Sequence, residues 1–228
     1  MHIIITGASR GIGLETVKAL LENPDHKILA LSRNIRPLED LNAGSRLQYR
    51  VLDLEKPHSQ SALLPILEKE FAGKVDILIN NAGLLIKKPF AEFEPEDFDR
   101  IFSVNVKGVV FLIQQLLPFF SSGSHIVNIG SMGGIQGSVK FEGLSLYAAS
   151  KGALSVLTEC LAEEFNPRGI AVNALALGAV ETEMMRQAFP AYSTSMTAKI
   201  MGTYIADFAL NGHRVYNGKV LPVSSTTP

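Results

Sequence analysis

The chain has 228 residues, 46% hydrophobic and 19% charged, with a net charge of −1. That mix suits a well-buried globular core and excludes a disordered chain. There is no basic surplus to argue for nucleic acid, the single cysteine excludes an internal disulfide, and the five histidines are scattered without metal-ligand spacing.

Short apolar runs alternate along the chain with longer helical patterns. The first run, "HIIIT" (2–6), stops after three isoleucines. It is too short for a secretory leader. "KILALS" (27–32), "LQYRVLDL" (47–54), "VDILIN" (75–80), "HIVNIG" (125–130), "IAVNALAL" (170–177) and "GKVLPV" (218–223) follow. Near-continuous apolar runs of this length predict strands covered on both faces.

Helices are predicted between the runs, in "IGLETVKALLEN", "SALLPILEKEFAG", "PEDFDRIFSVNVKGVVFLIQQLLPFF" and "ALSVLTECLAEEF". The third has Pro95 and acids in its first turn and ends or kinks at Pro118. Two glutamines and that proline interrupt its apolar stretch, so no membrane span is expected. Cys160 falls in the apolar pattern of the fourth helix and is expected in the core. The alternation predicts an α/β protein: one doubly wound, Rossmann-type, seven-stranded parallel sheet with helices on both faces, a single domain over 1–228. A cytoplasmic location is expected. Ligands of such sheets bind at the carboxyl ends of the strands.

The first strand end carries "TGASRGIG", with Gly7, Ser9, Arg10, Gly11, Ile12 and Gly13. Glycines allow a tight turn and close backbone approach, and the helix that follows offers free N–H groups to a phosphate. The second strand end reads "ALSRN". It has no acid to pair with ribose hydroxyls. Arg33 and Arg10 would instead suit a 2′-phosphate, so NADP(H) is expected over NAD(H), with NAD(H) possible. Asp53, at the third strand end, is either an adenine contact or a turn cap.

Further on come "NNAG" (80–83), "SVNVKG" with Asn105, "NIGSMGG" with Ser131, and "YAASK" with Tyr147 and Lys151. A tyrosine four residues before a lysine shares a helix face with it. With "TGASRGIG", these five ordered motifs resemble the short-chain dehydrogenase/reductase family over nearly the whole chain. They are most similar to its small NADPH-dependent ketoreductases, including 3-oxoacyl-carrier-protein reductases.

The resemblance implies roles. Tyr147 matches the general acid/base, Lys151 the residue that lowers its pKa and holds the nicotinamide ribose, and Ser131 the hydroxyl that orients the substrate oxygen. Asn105 matches the support of a proton relay. Gly7, Arg10, Ile12 and Gly13 match the pyrophosphate loop, Asp53 and Leu54 the adenine contacts, and Asn81, Ala82 and Gly83 the cofactor-side turn. Gly178, Val180 and Thr182 fall where the family holds the nicotinamide. The implied reaction is reduction of a small-molecule ketone or aldehyde, reversibly, by a homodimer or homotetramer. The segments 95–119 and 147–165 are the candidate contacts between subunits. The alternatives are an NAD-dependent alcohol dehydrogenase and a non-catalytic NADP-binding sensor or scaffold.

The chain departs from the family pattern in four places. Ser131 precedes Tyr147 by 16 residues, a few more than usual, which leaves Ser138 and Ser145 as rivals. Leu177 stands where the family has proline. The substrate lid expected around 183–196 is short, with Met184, Met185, Phe189 and Tyr192. The last residues look like a polar tail.

Overall fold

The computed structural model describes residues 1–56 and 63–224. The first part of the helix expected in "SALLPILEKEFAG", at 61–62, and the tail residues 225–228 lie outside them.

The seven runs form one parallel sheet in the order β3-β2-β1-β4-β5-β6-β7. The strands are β1 His2–Thr6, β2 Lys27–Ser32, β3 Leu47–Val51, β4 Val75–Asn80, β5 Phe120–Ser131, β6 Ala171–Leu177 and β7 Val220–Val223. Alternation along β1 explains why both faces must be covered. Ile4 packs in one core layer with Leu112, Leu116 and Leu154, whereas Ile3 and Ile5 pack in the other with Val17, Leu20 and Ile205. Helices α3 (Leu64–Glu70), α5 (Gly108–Leu116) and α6 (Ser145–Phe165) supply the first layer, with α4 (Pro95–Phe102) packed against α6, while α1 (Gly11–Leu21), α2 (Arg36–Glu39) and α8 (Ala198–Asn211) supply the second. A short α7 (Glu183–Ala188) lies beyond the strand ends.

Several boundaries differ from expectation. β3 ends at Val51 because Asp53 Oδ1 accepts the Glu55 N–H, 3.1 Å, and turns the chain. β5 starts five residues early, at Phe120. Its extra segment is irregular and is held by Ser124, whose Oγ donates to Val75 O and accepts from Ser121 N. β7 is shorter than expected.

The long third helix is four pieces: α4, a π-helical stretch at Ser103–Lys107, α5, and a 3-10 turn at Leu117–Phe119 that carries Pro118. It starts at Pro95 behind a reciprocal capping box between Glu94 and Asp97. By length and composition the run Pro95–Phe119 is the one candidate membrane span among the described residues. Val109, Leu112, Ile113 and Leu116 are buried in the sheet-facing core, which accounts for part of its apolar content.

Cys160 is exposed, contrary to expectation. The buried stripe of α6 runs Lys151, Leu154, Thr158, Ala162 and Phe165, at spacings of three and four. Cys160 is two residues from Thr158 and so falls on the opposite face.

Candidate active site

Strand order reverses between β1 and β4, the place where doubly wound sheets bind ligands. A cavity of about 1650 Å³ opens there, beyond the roughly 300–1,000 Å³ of a typical small-ligand pocket. Of the candidate residues, Gly7, Ser9, Arg10, Ile12, Gly13, Arg33, Asp53, Leu54, Asn81, Ala82 and Gly83 line it. So do Ser131, Tyr147, Lys151, Gly178, Val180 and Thr182. Asn105 does not; it is fully buried behind the wall.

The loop after β1 forms a cradle. A Cβ on Gly13 would stand 2.2 Å from Gly7 O, and one on Gly7, whose φ is +66°, would stand 2.8 Å from Ala82 Cα. The cradle is tied to the end of β4. The Asn81 amide donates to Thr6 O and Gly7 O, and Thr6 Oγ1 accepts the N–H groups of Asn81 and Ala82. The N-cap of α1, Arg10, makes no side-chain cap, and the first turn holds no acid. Backbone N–H groups and the positive helix end therefore face the cavity uncapped, which fits a dinucleotide pyrophosphate.

At the end of β2, Ser9 and Ser32 share a hydroxyl hydrogen bond of 2.7 Å. Arg33 makes no ion pair among the described residues. Arg10 pairs with Glu183, the first residue of α7, a partner that sequence reasoning missed. Because the pair is exposed, it is worth at most about 1 kcal/mol.

Ser131 ends β5, and its Oγ accepts the Gly133 N–H, 3.3 Å. The turn that follows packs against α6 through Gly134, where a Cβ would lie 2.7 Å from Lys151 C and Gly152 N. That contact, also missed from sequence, brings Ser131 to Tyr147, with which it hydrogen-bonds. The rival Ser138 is engaged in its own turn, donating to Met132 O and Ile135 O.

Asn105 sits in the π-helical stretch with its amide fully used. Oδ1 accepts Leu84 N, while Nδ2 donates to Leu84 O and to Ser150 Oγ. Ser150 Oγ donates in turn to Tyr147 O, 2.7 Å. Asn105 thus joins the loop after β4 to the first turn of α6. Thr182 caps α7 through its Oγ1. A parallel bridge between Glu181 and Thr197 joins the residues just before α7 to the start of α8.

Lys151 is 3% exposed, donates to Ile129 O at 2.8 Å, and holds its Nζ 5.9 Å from the centroid of the Tyr147 ring. Burial lowers its pKa from 10.5 to about 8. Burial also pushes the Tyr147 phenol above its ordinary value, opposed only by the Ser131 hydrogen bond. Lys151 is not among the causes of this shift. The ammonium lies beside the ring and its hydrogen bond goes to the backbone.

The lysine has a measurable consequence. From about pH 8 to pH 10 the unfolded chain keeps a proton that folded Lys151 has shed, so stability rises with pH. A depression from 10.5 to about 8 corresponds to about 3 kcal/mol across the whole window. Urea unfolding of the wild type at pH 7.5 and pH 10 is expected to show this rise, and Lys151→Met to lack it. Equal pH dependence in the two proteins would refute the buried-cation description.

Comparisons with known proteins agree with the geometry. The short chain dehydrogenase family model matches residues 1–193. An uncharacterized oxidoreductase of Staphylococcus saprophyticus is 33% identical over 188 residues, 80% of this chain and 75% of its own. A short chain dehydrogenase from Burkholderia cenocepacia, solved with NADP, superposes with a TM-score of 0.86 at 28% identity, over 97% of this chain and 95% of that one. A 3-ketoacyl-(acyl-carrier-protein) reductase from Brucella melitensis, solved with NADH, gives 0.84 at 28% identity, over 97% and 96%. A seven-stranded Rossmann-type sheet, a phosphate cradle at its switch point and a matching family model over most of the chain lead to one assignment: this chain belongs to the short-chain dehydrogenase family, enzymes that interconvert CH–OH and C=O groups with a nicotinamide cofactor.

Proposed function

We propose that the protein is an NADPH-dependent carbonyl reductase in which Tyr147 gives the proton. The reading rests chiefly on one observation. Tyr147, Lys151 and Ser131 meet in the same cavity as an uncapped phosphate cradle.

Reducing a ketone requires a hydride on carbon and a proton on oxygen. The bound reduced nicotinamide supplies the hydride. Gly7, Ile12, Gly13 and the N-terminus of α1 would hold the pyrophosphate. Asp53 and Leu54 would hold the adenine, Asn81 to Gly83, Gly178, Val180 and Thr182 would flank the nicotinamide half, and Lys151 would hold the ribose.

Ser131 hydrogen-bonds the substrate oxygen and steadies its developing charge. Tyr147, held by the same serine, passes its proton to that oxygen. A phenol at its ordinary value of about 10 must fall about 3 units to suit pH 7, roughly 4 kcal/mol. Burial opposes this fall. Lys151, mostly protonated at neutral pH, supplies the nearest positive charge of this chain. Asn105 acts as a positioning residue through Leu84 and Ser150. In the reverse direction Tyr147 takes the proton from an alcohol. The rim segment around 183–196, with α7, serves as a short lid. A cytoplasmic homo-oligomer is part of the same reading, supported by Phe98, Phe111 and Val156, exposed on α4, α5 and α6.

NADP(H) is preferred because β2 ends at Ser32 and is followed by Arg33, with no carboxylate to take the ribose hydroxyls and a guanidinium to take a phosphate. The test combines binding and turnover. NADPH is expected to bind about tenfold more tightly than NADH, the scale of one charge-assisted hydrogen bond, and Arg33→Ala to remove most of that gap. NADPH absorbance should fall with ketones or aldehydes in a screening panel. Equal affinities, or tighter NADH, would overturn the preference; tight NADPH binding without turnover of any carbonyl would overturn the reductase reading.

A further inference from the structure

Beyond Tyr147 the cavity wall is built from three segments that lie far apart in the chain. They are the loop after β4, the extra residues between Ser131 and Tyr147, and α7 with the residues after it. The structure ties them together. Lys88 N donates to Gly143 O at 3.1 Å, and Lys87 Nζ donates to Ala188 O at the end of α7. The same ammonium stands 4.1 Å over the Phe189 ring, and Phe189 meets Phe141 edge-on at 5.7 Å. Phe141 O accepts Leu144 N, and Leu144 O accepts Ala148 N, so the Phe141 turn leads directly into the helix that carries Tyr147.

The rim at this end carries large apolar side chains, beside Lys140 and Glu142, which also line it. Phe90, Val139, Phe141 and Tyr192 line it, yet they are 76%, 49%, 54% and 47% exposed. Large apolar side chains left in water around one opening mark a surface that a ligand covers. The nearby cations are turned to the protein's own oxygens. Lys87 binds Ala188 O, Lys140 binds Ile135 O and Ser138 Oγ, and Lys88 pairs with Asp97. Of these three, only Lys140 lines the cavity.

Resting on the carbonyl-reductase reading, we infer that the substrate carries its carbonyl on a bulky, uncharged, apolar group, aromatic rings above all, and that Phe141 selects it. Sugars and acyl thioesters on charged carriers are the classes disfavoured. Edge-to-face packing accounts for the aromatic preference, since a ligand ring could extend the Phe141–Phe189 pair.

The test compares 2-acetylnaphthalene, acetone, dihydroxyacetone and an acetoacetyl thioester as substrates with NADPH. Binding of 2-acetylnaphthalene to the NADP⁺-saturated protein is measured separately by calorimetry. kcat/KM for 2-acetylnaphthalene is expected to exceed that for acetone by about 100-fold, within the discrimination that apolar pockets achieve. That ratio should fall about tenfold in Phe141→Ala, through KM, recover in Phe141→Tyr, which keeps the ring, and recover only in part in Phe141→Leu. A ratio cancels any loss of folded enzyme. Preference for dihydroxyacetone or the thioester, or a ratio unmoved by Phe141→Ala, would overturn the inference. Binding of 2-acetylnaphthalene that depends on Phe141, without turnover of any carbonyl, would support the apolar site and overturn the reductase reading instead. Turnover of the small carbonyls without that binding would do the reverse.

Discussion

Tyr147→Phe is expected to lower NADPH-dependent turnover by about 10³-fold, the middle of the range for a general acid, and to change the NADPH dissociation constant by less than about threefold. The substitution deletes one oxygen. The ring remains in its half-buried place at the start of α6, so packing around Ala148 and Ser131 is preserved. What disappears is the proton and the hydrogen bond with Ser131. The lost hydroxyl leaves the Ser131 side chain its contact with Gly133 N, and no buried group is orphaned to destabilise the fold. The loss should therefore appear in kcat, with an unchanged thermal midpoint. Single-turnover rates with NADPH, set beside fluorescence titration of the same cofactor, measure both quantities. Turnover within tenfold of wild type would remove Tyr147 from the reaction. A cofactor affinity that collapses together with turnover would mean that the phenol holds the cofactor instead of the proton.

How much of this was legible beforehand depends on range along the chain. The strands were readable because a parallel sheet buries both faces, and that demand leaves continuous apolar runs such as "HIIIT" and "VDILIN". Strand ends were less readable. Leu52 is apolar and buried, so it looks like strand, but the turn is made by Asp53 and its local hydrogen bond. The π-helical stretch at Ser103–Lys107 was invisible for a related reason. Apolar periodicity runs through it, while its cause lies elsewhere: the Asn105 amide is drawn to Leu84 and Ser150, 21 and 45 residues away. Ser131 could be preferred to Ser138 from its place just after a strand; the packing of Gly134 on Lys151 that brings it to Tyr147 could not. The pairing of Arg10 with Glu183 spans 173 residues, and no local pattern records it. The Cys160 error was one of phase: apolar neighbours occur on both faces of α6, and only the stripe from Lys151 to Phe165 is buried.

The second large effect is expected at Gly13. Gly13→Ala should weaken NADPH binding by about 100-fold or more and lower the unfolding free energy by about 1–3 kcal/mol, the usual penalty of an overpacked site. Gly13 lies in the first turn of α1, where alanine would ordinarily improve the helix by about 1 kcal/mol. Space decides against it. The new Cβ would stand 2.2 Å from Gly7 O and 2.5 Å from Asn81 Nδ2. Neither neighbour can yield cheaply. Gly7 O is backbone in a residue already at φ +66°, and moving the other way brings Gly7 toward Ala82, whose Cα a side chain at Gly7 would already meet at 2.8 Å. Asn81 Nδ2 is held by Thr6 O and Gly7 O. A shift would therefore break the tie between the loop after β1 and the end of β4, and tilt the N–H groups of α1 away from a bound phosphate. The distinguishing signature is a sign reversal. Helix propensity predicts a higher melting midpoint for Gly13→Ala, whereas cradle geometry predicts a lower one together with lost cofactor affinity. Differential scanning fluorimetry with and without NADPH reads both, because a ligand that binds only the folded state raises the midpoint by an amount that grows with the logarithm of its affinity. A variant that melts higher and keeps its NADPH-induced shift would refute the cradle.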